Sequence, residues 1–160
     1  MVINLGCGKR PIKGALNIDI KEPADLVMDL SDLPWLWADD SIDGIYTSHF
    51  LEHVPNTKEV LKECHRVLKP YGFLSIKVPH SSCAGAVGCL HHYRTFSYNS
   101  LKDYLDPDMF STLSQRIVWL PHYEWVPIQW LIDLSPRFFE RVWCYYVGGA
   151  TEVRWMGIKK

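Results

Sequence analysis

The first half of the chain alternates short apolar runs with polar or turn-forming intervals. Positions 2–5 (VINL) are an apolar run that stops at Gly6. Positions 15–20 (ALNIDI), 25–29 (DLVMD) and 43–47 (DGIYT, after the turn-like ADDS) repeat the pattern. Each run is short and bounded by Gly, Pro, Asp or Ser, which predicts strands. At 57–68 (TKEVLKECHRVL) the period changes. Val60, Leu61, Cys64, Val67 and Leu68 fall on one stripe of an amphipathic helix. Asn56 or Thr57 supplies its N-cap, and Pro70 and Gly72 stop it. Positions 73–78 (FLSIKV) return to strand and end at Pro79.

Strands alternating with crossovers predict an α/β fold with a doubly wound, mostly parallel sheet. Ligands of such sheets bind outside the carboxyl ends of the strands. Those ends carry Gly6–Gly8, Asp19, Asp29, Ser48–His49 and His80. The second half is less regular. A helix is expected at 97–105, a strand at 115–120, short helices at 128–133 and 136–142, and a final alternating strand at 152–158. Two late strands separated by a long excursion predict a terminal antiparallel pair at one side of the sheet. There is no repeat, low-complexity tract or linker. One domain over 1–160 is expected, with a cofactor-binding half at 1–80 and a substrate and lid half at 81–160.

Composition narrows the function classes. The 160 residues carry a formal charge of −1, which argues against a surface built to coat nucleic acid. No apolar run approaches the ~18 residues of a membrane span. The five cysteines are odd in number and irregularly spaced, and no secretory signal precedes them. A reduced, cytoplasmic setting is therefore expected.

The stretch NLGCGKRPIKGALNIDI, residues 4–20, holds the most specific chemistry. Gly6 and Gly8 allow close backbone approach and positive φ. Asp19, at the end of the next strand, can accept two hydrogen bonds from a ribose diol. A pyrophosphate also needs a helix N-terminus after the glycines. Only residues 9–14 separate Gly8 from the second strand, and a crossover with a helix needs about 10–12 residues. The site is thus poor for NAD, the alternative weighed. It suits S-adenosylmethionine, which has no phosphate and whose amino-acid carboxylate Lys9 or Arg10 can meet.

NLGCG, NIDI, VMDLSDLPWLWADDSIDGIYTSHFLEHV and VLKECHRVLKPYGFLSIKVPH together resemble class I (Rossmann-like) S-adenosylmethionine-dependent methyltransferases, in the right order and over about half of the chain. A weaker likeness continues in VPHSSCAGAVGCLHHYRTFSYNSLKDYL, to a small "methyltransferase domain" subgroup common in phage and bacterial genomes. The resemblance implies roles. Gly6, Cys7 and Gly8 would lie beside the methionine moiety, and Asp19 would bind the ribose hydroxyls. Asp29 and the backbone of Leu30 would meet the adenine, and Ser48 and His49 would lie near the transferable methyl group. Arg66, Leu68, Lys69, Pro70 and Gly72 belong to a structural RxLKPxG turn. The helix usual between the first two strands, and any covering N-terminal helices, are expected to be missing. The site should then be open unless the 80–94 loop or the aromatic excursion at 119–146 closes it.

Methyl transfer needs an aligned acceptor and, for a hydroxyl or amine, a base. His49, His80 and His92 are the candidates. Arg94 holds an anionic substrate or makes a surface ion pair. His49, Glu52 and His53 share one helical face; a metal or acid–base cluster is one reading, and a pocket histidine beside a structural Glu-His pair is the other. His80, Cys83, Cys89, His91 and His92 are zinc-type ligands whose spacing fits no usual zinc motif, so no metal is expected. TSHF stands where many amino-group methyltransferases of DNA and protein carry a DPPY-type tetrapeptide. The aromatic excursion is read as core, as a hydrophobic acceptor pocket or as a homodimer interface. The expected activity is methylation of an O or N of a small molecule or saccharide. The competing expectation is a non-catalytic cofactor-binding module that serves interaction or regulation.

Overall fold

The computed structural model describes residues 1–120, 127–147 and 149–160, with Tyr145 and Val147 described by backbone alone. Tyr123 and Trp125 of the aromatic excursion lie outside the described residues. The strands are β1 (Val2–Leu5), β2 (Leu16–Asp19), β3 (Leu26–Val27), β4 (Ile42–Ser48), β5 (Leu68–Pro79), β6 (Phe110–Val118) and β7 (Glu152–Lys159). They form one sheet in the order β3-β2-β1-β4-β5-β7-β6. The first five pair in parallel. β7 is antiparallel to both β5 and β6, which is the terminal antiparallel arrangement expected.

The two faces of this sheet differ. Paired residues point to the same side, so Ile3, Ile45 and Leu74 share one face, as do Leu5, Ile18, Ile76 and Trp155. All are buried and belong to the main core. Each fully buried aliphatic side chain of this kind contributes roughly 1.5–3 kcal/mol. Helix α1 (Thr57–Val67) joins that core through Val60, Leu61, Cys64 and Val67, with Leu101 of α3 (Tyr98–Tyr104) beside them. The opposite face carries the row Asn4, Tyr46, Ser75, Met156, in which Tyr46 is 36% and Met156 42% exposed.

The asymmetry follows from short connections. Among the described residues no helix lies between β1 and β4. The β3–β4 segment folds over α1 instead. Trp35 and Trp37 are buried edge-on to one another. The Trp35 N–H donates to Glu63 Oε1 at 2.7 Å, and Arg66 donates to the Trp35 and Trp37 carbonyls. Asn56 sits at the N-cap of α1, yet its side chain accepts from no helix N–H, and its amide donates to the Ser31 carbonyl.

Several boundaries differ from those the pattern predicts. β5 begins at Leu68, which pairs with Ile42. Residues 69–72 then bulge out, and regular pairing resumes from Phe73. β6 begins at Phe110, five positions before the expected start. It is an edge strand whose exposed Thr112, Leu113 and Ser114 hide its alternation. The excursion after β6 forms α4 (Pro127–Leu134), a turn α5 (Pro136–Phe138), a π-helical segment Phe139–Trp143 and α6 (Cys144–Val147). It surrounds a second small core of Ile117, Ile132, Phe139 and Ala150. Between β5 and α3, a loop containing α2 (Ala84–Gly88) leaves and rejoins the sheet end, pinned at its base by the parallel bridge His80–Phe96. No helix among the described residues is long and apolar enough to cross a membrane.

Candidate functional site

The turn after β1 is shaped by two glycines with positive φ, +64° at Gly6 and +50° at Gly8. A Cβ on Gly6 would lie 2.6 Å from the Phe50 side chain, so this position requires glycine by space as well as by conformation. The Cys7 N–H donates to the Ile18 carbonyl at 3.0 Å. The Gly8 N–H donates to Asp19 Oδ2 at 2.8 Å, and the Lys21 N–H to Asp19 Oδ1 at 3.3 Å. At the next strand end, Asp29 Oδ1 accepts from the hydroxyl and N–H of Ser31. These bonds hold its carboxyl below the usual range.

These strand ends enclose a cleft of about 650 Å3, lined by Gly6, Gly8, Asp19, Asp29, Leu30 and His49 among others. The cleft offers a cofactor the backbone of Gly6 and Gly8, a carboxylate at Asp19 for a diol and apolar Leu30 and Met28 for a flat ring. It offers no helix N-terminus for a pyrophosphate. Cys7 is buried, and its thiol is pushed up by burial and by Asp19 and Asp25. Cys7 therefore contributes backbone to the turn and no reactive sulfur. Ser48 lines not this cleft but a neighbouring one.

That second cleft, about 680 Å3, is lined by Ser48, His49, Lys77, His92, Glu152 and Arg154, with Arg10 at its edge. Arg10 thus faces the second cleft. His49 belongs to both clefts. It has φ +54° at the end of β4, and its Nε2 lies 3.4 Å from Glu152 Oε2. Its Nδ1 lies 3.5 Å from Glu52 Oε1. Hydrogen bonding to Glu152 and then Glu52 pushes the imidazole up to about 9. Burial alone would raise the Glu152 carboxyl, but bonds from His49 and Arg154 outweigh it and hold the group below its ordinary value.

The three candidate histidines have different surroundings. His80 is 2% exposed and lines neither cleft. Its Nδ1 accepts from the Ser82 N–H at 3.1 Å, which leaves Nε2–H to donate to Glu140 Oε1 at 2.9 Å. It is placed as a bracket between the loop base and the π-helical segment. His92 is half-buried and borders the second cleft. Arg94 donates to the Tyr104 hydroxyl and the Pro55 carbonyl and stacks on the Tyr104 ring, so it ties down the loop away from both clefts. His91 and Tyr93 border the first cleft, and Cys83, Gly85 and His92 the second. The 80–94 loop therefore borders both clefts. Within the excursion, Phe139 is buried and Trp119 and Trp143 pack on the small core. Trp130, Phe138 and Tyr146 are exposed.

Glu152, Lys77 and Arg154 were not legible as site residues. All three lie where antiparallel β7 meets the carboxyl end of β5. The available signal was Glu152 with Arg154, an acid and a base two positions apart at the start of a strand that is otherwise apolar as far as Ile158.

A methyltransferase-domain family model matches residues 11–76. No curated protein matches the sequence. The fold is shared with solved structures of low identity. One is a SAM dependent methyltransferase from Archaeoglobus fulgidus, with TM-score 0.71, 18% identity, and 99% of this chain and 85% of that chain covered. Another is an S-adenosylmethionine dependent methyltransferase from Mesorhizobium loti, with TM-score 0.60, 16% identity and 98% and 90% covered. A third is the Burkholderia thailandensis 1,6-didemethyltoxoflavin-N1-methyltransferase, solved with 1,6-didemethyltoxoflavin and S-adenosylhomocysteine. Its TM-score is 0.65, with 18% identity and 99% and 70% covered.

Proposed function

We propose that this chain, a class I (Rossmann-like) S-adenosylmethionine-dependent methyltransferase by its fold and its methyltransferase-domain segment, methylates an oxygen or nitrogen of a small-molecule or saccharide acceptor held in the second cleft. The observation that carries the acceptor assignment is the position of His49, which lines both clefts at once. A methyl group presented at the His49 end of the first cleft faces the second directly.

S-adenosylmethionine is the cofactor, and when bound it supplies the electrophilic methyl group. The chain's own residues do the rest. Gly6 and Gly8 let the backbone approach, Asp19 accepts from the ribose hydroxyls, and Asp29 with Leu30 borders the adenine. Ser48 and His49 border the reacting end. Arg10, Lys77 and Arg154 give the acceptor cleft a basic wall, which favours an acceptor bearing a carboxylate, phosphate or sugar-acid group. His49 borders both clefts, but Glu152 and Glu52 push its imidazole up to about 9, so it rests as an imidazolium at neutral pH and becomes a base for the acceptor's proton only as pH rises towards that value.

Calorimetry with S-adenosylhomocysteine tests the first cleft. Wild type should bind, and Asp19→Ala should bind at least about tenfold more weakly, as expected for loss of a charged hydrogen-bond acceptor. No binding heat with wild type removes the proposal at its base. A screen of anionic sugars and small acids with labelled cofactor tests the second cleft. Turnover should be lost in His49→Ala while S-adenosylhomocysteine still binds. Cofactor binding without turnover of any acceptor supports the interaction-module reading instead.

A further inference from the structure

We propose that Glu52, His53 and His92 form a binding site for one divalent transition-metal ion of the zinc type, which ties the 80–94 loop to the end of β4. Glu52 and His53 lie in the single 3-10 turn Leu51–His53 that follows β4, and His92 comes from the loop. One donor atom from each lies within 4.8 Å of the other two. The two imidazole rings stand edge-on, with centroids 4.7 Å apart.

The hydrogen bonds around the three side chains leave one ring nitrogen of each histidine and one oxygen of Glu52 available to an ion. His53 Nδ1 is 3.2 Å from the His91 carbonyl, and His92 Nδ1 is 2.9 Å from the Ala86 carbonyl. A carbonyl oxygen only accepts, so both Nδ1 atoms carry the proton and both Nε2 atoms keep a lone pair. Backbone carbonyls orient metal-bound histidines in this way. Glu52 is 1% exposed, and its Oε2 has no hydrogen-bond partner among the described residues. A buried carboxylate oxygen without a partner is costly and calls for a ligand. Its other oxygen, Oε1, faces His49.

Two imidazole nitrogens and one carboxylate oxygen are a zinc-type donor set, whereas calcium and magnesium select oxygen ligands. Tetrahedral bonds of about 2.1 Å space donors roughly 3.4 Å apart, so side-chain adjustments of about an ångström close this set. Three protein ligands leave at least one position free. A cavity of about 320 Å3 lined by His53, Leu90, His91, His92 and Tyr93 gives the ion a route in. The site runs against the expectation of a metal-free chain. That expectation weighed His92 with His80, Cys83, Cys89 and His91, and Glu52 and His53 with His49, whereas the fold brings His92 to Glu52 and His53.

His53 borders the cofactor cleft and His92 the acceptor cleft. An ion between them would hold the loop closed and leave its free position for an acceptor oxygen. This consequence rests on the methyltransferase reading; the ion site does not.

The test is titration of the chelator-stripped full chain with Zn2+ by calorimetry and with Co2+ by visible absorption, without cofactor. One ion per chain should bind, with a Co2+ ligand-field band. His53→Ala, His92→Ala and Glu52→Gln should each weaken binding by more than about tenfold, and Cys89→Ser should leave it unchanged. Far-UV circular dichroism confirms that the variants are folded. Repeating the S-adenosylhomocysteine titration with the ion loaded should give tighter binding in wild type and no gain in His92→Ala. No ion uptake by wild type, affinity indifferent to His53 and His92, or loss in Cys89→Ser overturns the site. Unchanged cofactor affinity on loading overturns the loop closure. Ion binding with no cofactor binding would leave the site standing and sink only the methyltransferase reading.

Discussion

Asn4 and Asn17 meet across β1 and β2, the Asn4 amide donating to Asn17 Oδ1 at 2.9 Å. Asn17 Oδ1 also accepts from the Ile12 N–H at 2.7 Å. Its own amide donates to the carbonyls of Ile12 and Ala15 and to Asp25 Oδ2. One buried side chain thus satisfies the polar groups of a connection that has no helix to satisfy them. It explains how a parallel pair is joined by residues 6–15 alone. Asn17→Ala leaves several of these groups unpaired. At about 1–3 kcal/mol for a buried unsatisfied group, it should cost roughly 2–4 kcal/mol in urea unfolding. A loss under about 1 kcal/mol would show that water replaces the amide.

Gly6 and Gly8 should respond differently to substitution. Both have positive φ, but only Gly6 faces a neighbour at 2.6 Å, while a Cβ on Gly8 meets nothing within 4 Å. Gly8→Asn, a residue that tolerates the left-handed region, should retain S-adenosylhomocysteine binding within about tenfold. Gly6→Ala must displace Phe50, which lines the same cleft, and should abolish binding detectable by calorimetry. Equal losses in both would mean that conformation alone limits the turn.

The strands, α1 and the glycine turn were legible because each is written locally: a short apolar run, a helical stripe, a Gly-x-Gly before an acid. What was not legible depends on distant partners. His80 and His92 look alike in sequence, yet one meets Glu140 and the other faces a cleft. Arg94 read equally as an anion clamp or as half of a surface ion pair, and the fold instead gives its guanidinium to the Pro55 carbonyl and Tyr104. Glu152 lies 103 positions from His49, and no pattern along the chain announces that pairing. The N-cap of α1 falls at Asn56, one of the two positions expected, but that its amide bonds to Ser31 across the fold is not written locally.

His80 gives a prediction that separates structure from catalysis. Glu140 Oε1 accepts from His80 Nε2 and also from the Tyr98 N–H at the start of α3. His80→Ala should lower unfolding stability by about 2 kcal/mol, the scale of a buried hydrogen bond to a charged group. The affinity for S-adenosylhomocysteine should not change, because His80 borders neither cleft. Full stability combined with lost turnover would make His80 part of the chemistry.

The Glu63–Arg66 pair sets an acid limb for stability. Glu63 accepts from Arg66 at 2.6 and 2.9 Å and from the Trp35 N–H. The Arg66 bonds, against the opposing effect of burial, hold its carboxyl below the ordinary value. A carboxyl depressed in the folded state stabilises fully above its unfolded value of about 4.3 and loses that contribution as pH falls through its folded value. Glu63→Gln keeps an acceptor for the Trp35 N–H but removes the charge. At pH 7 it should be less stable than wild type by about 1.5–3 kcal/mol, the range for hydrogen bonds to charged groups. The gap should shrink as pH falls below the unfolded value, where the unfolded chain takes up a proton that the folded carboxyl resists. Urea midpoints across pH 3–7 read this directly. A gap that stays constant over that range would mean that Glu63 acts by shape and hydrogen bonding, with no contribution from its charge.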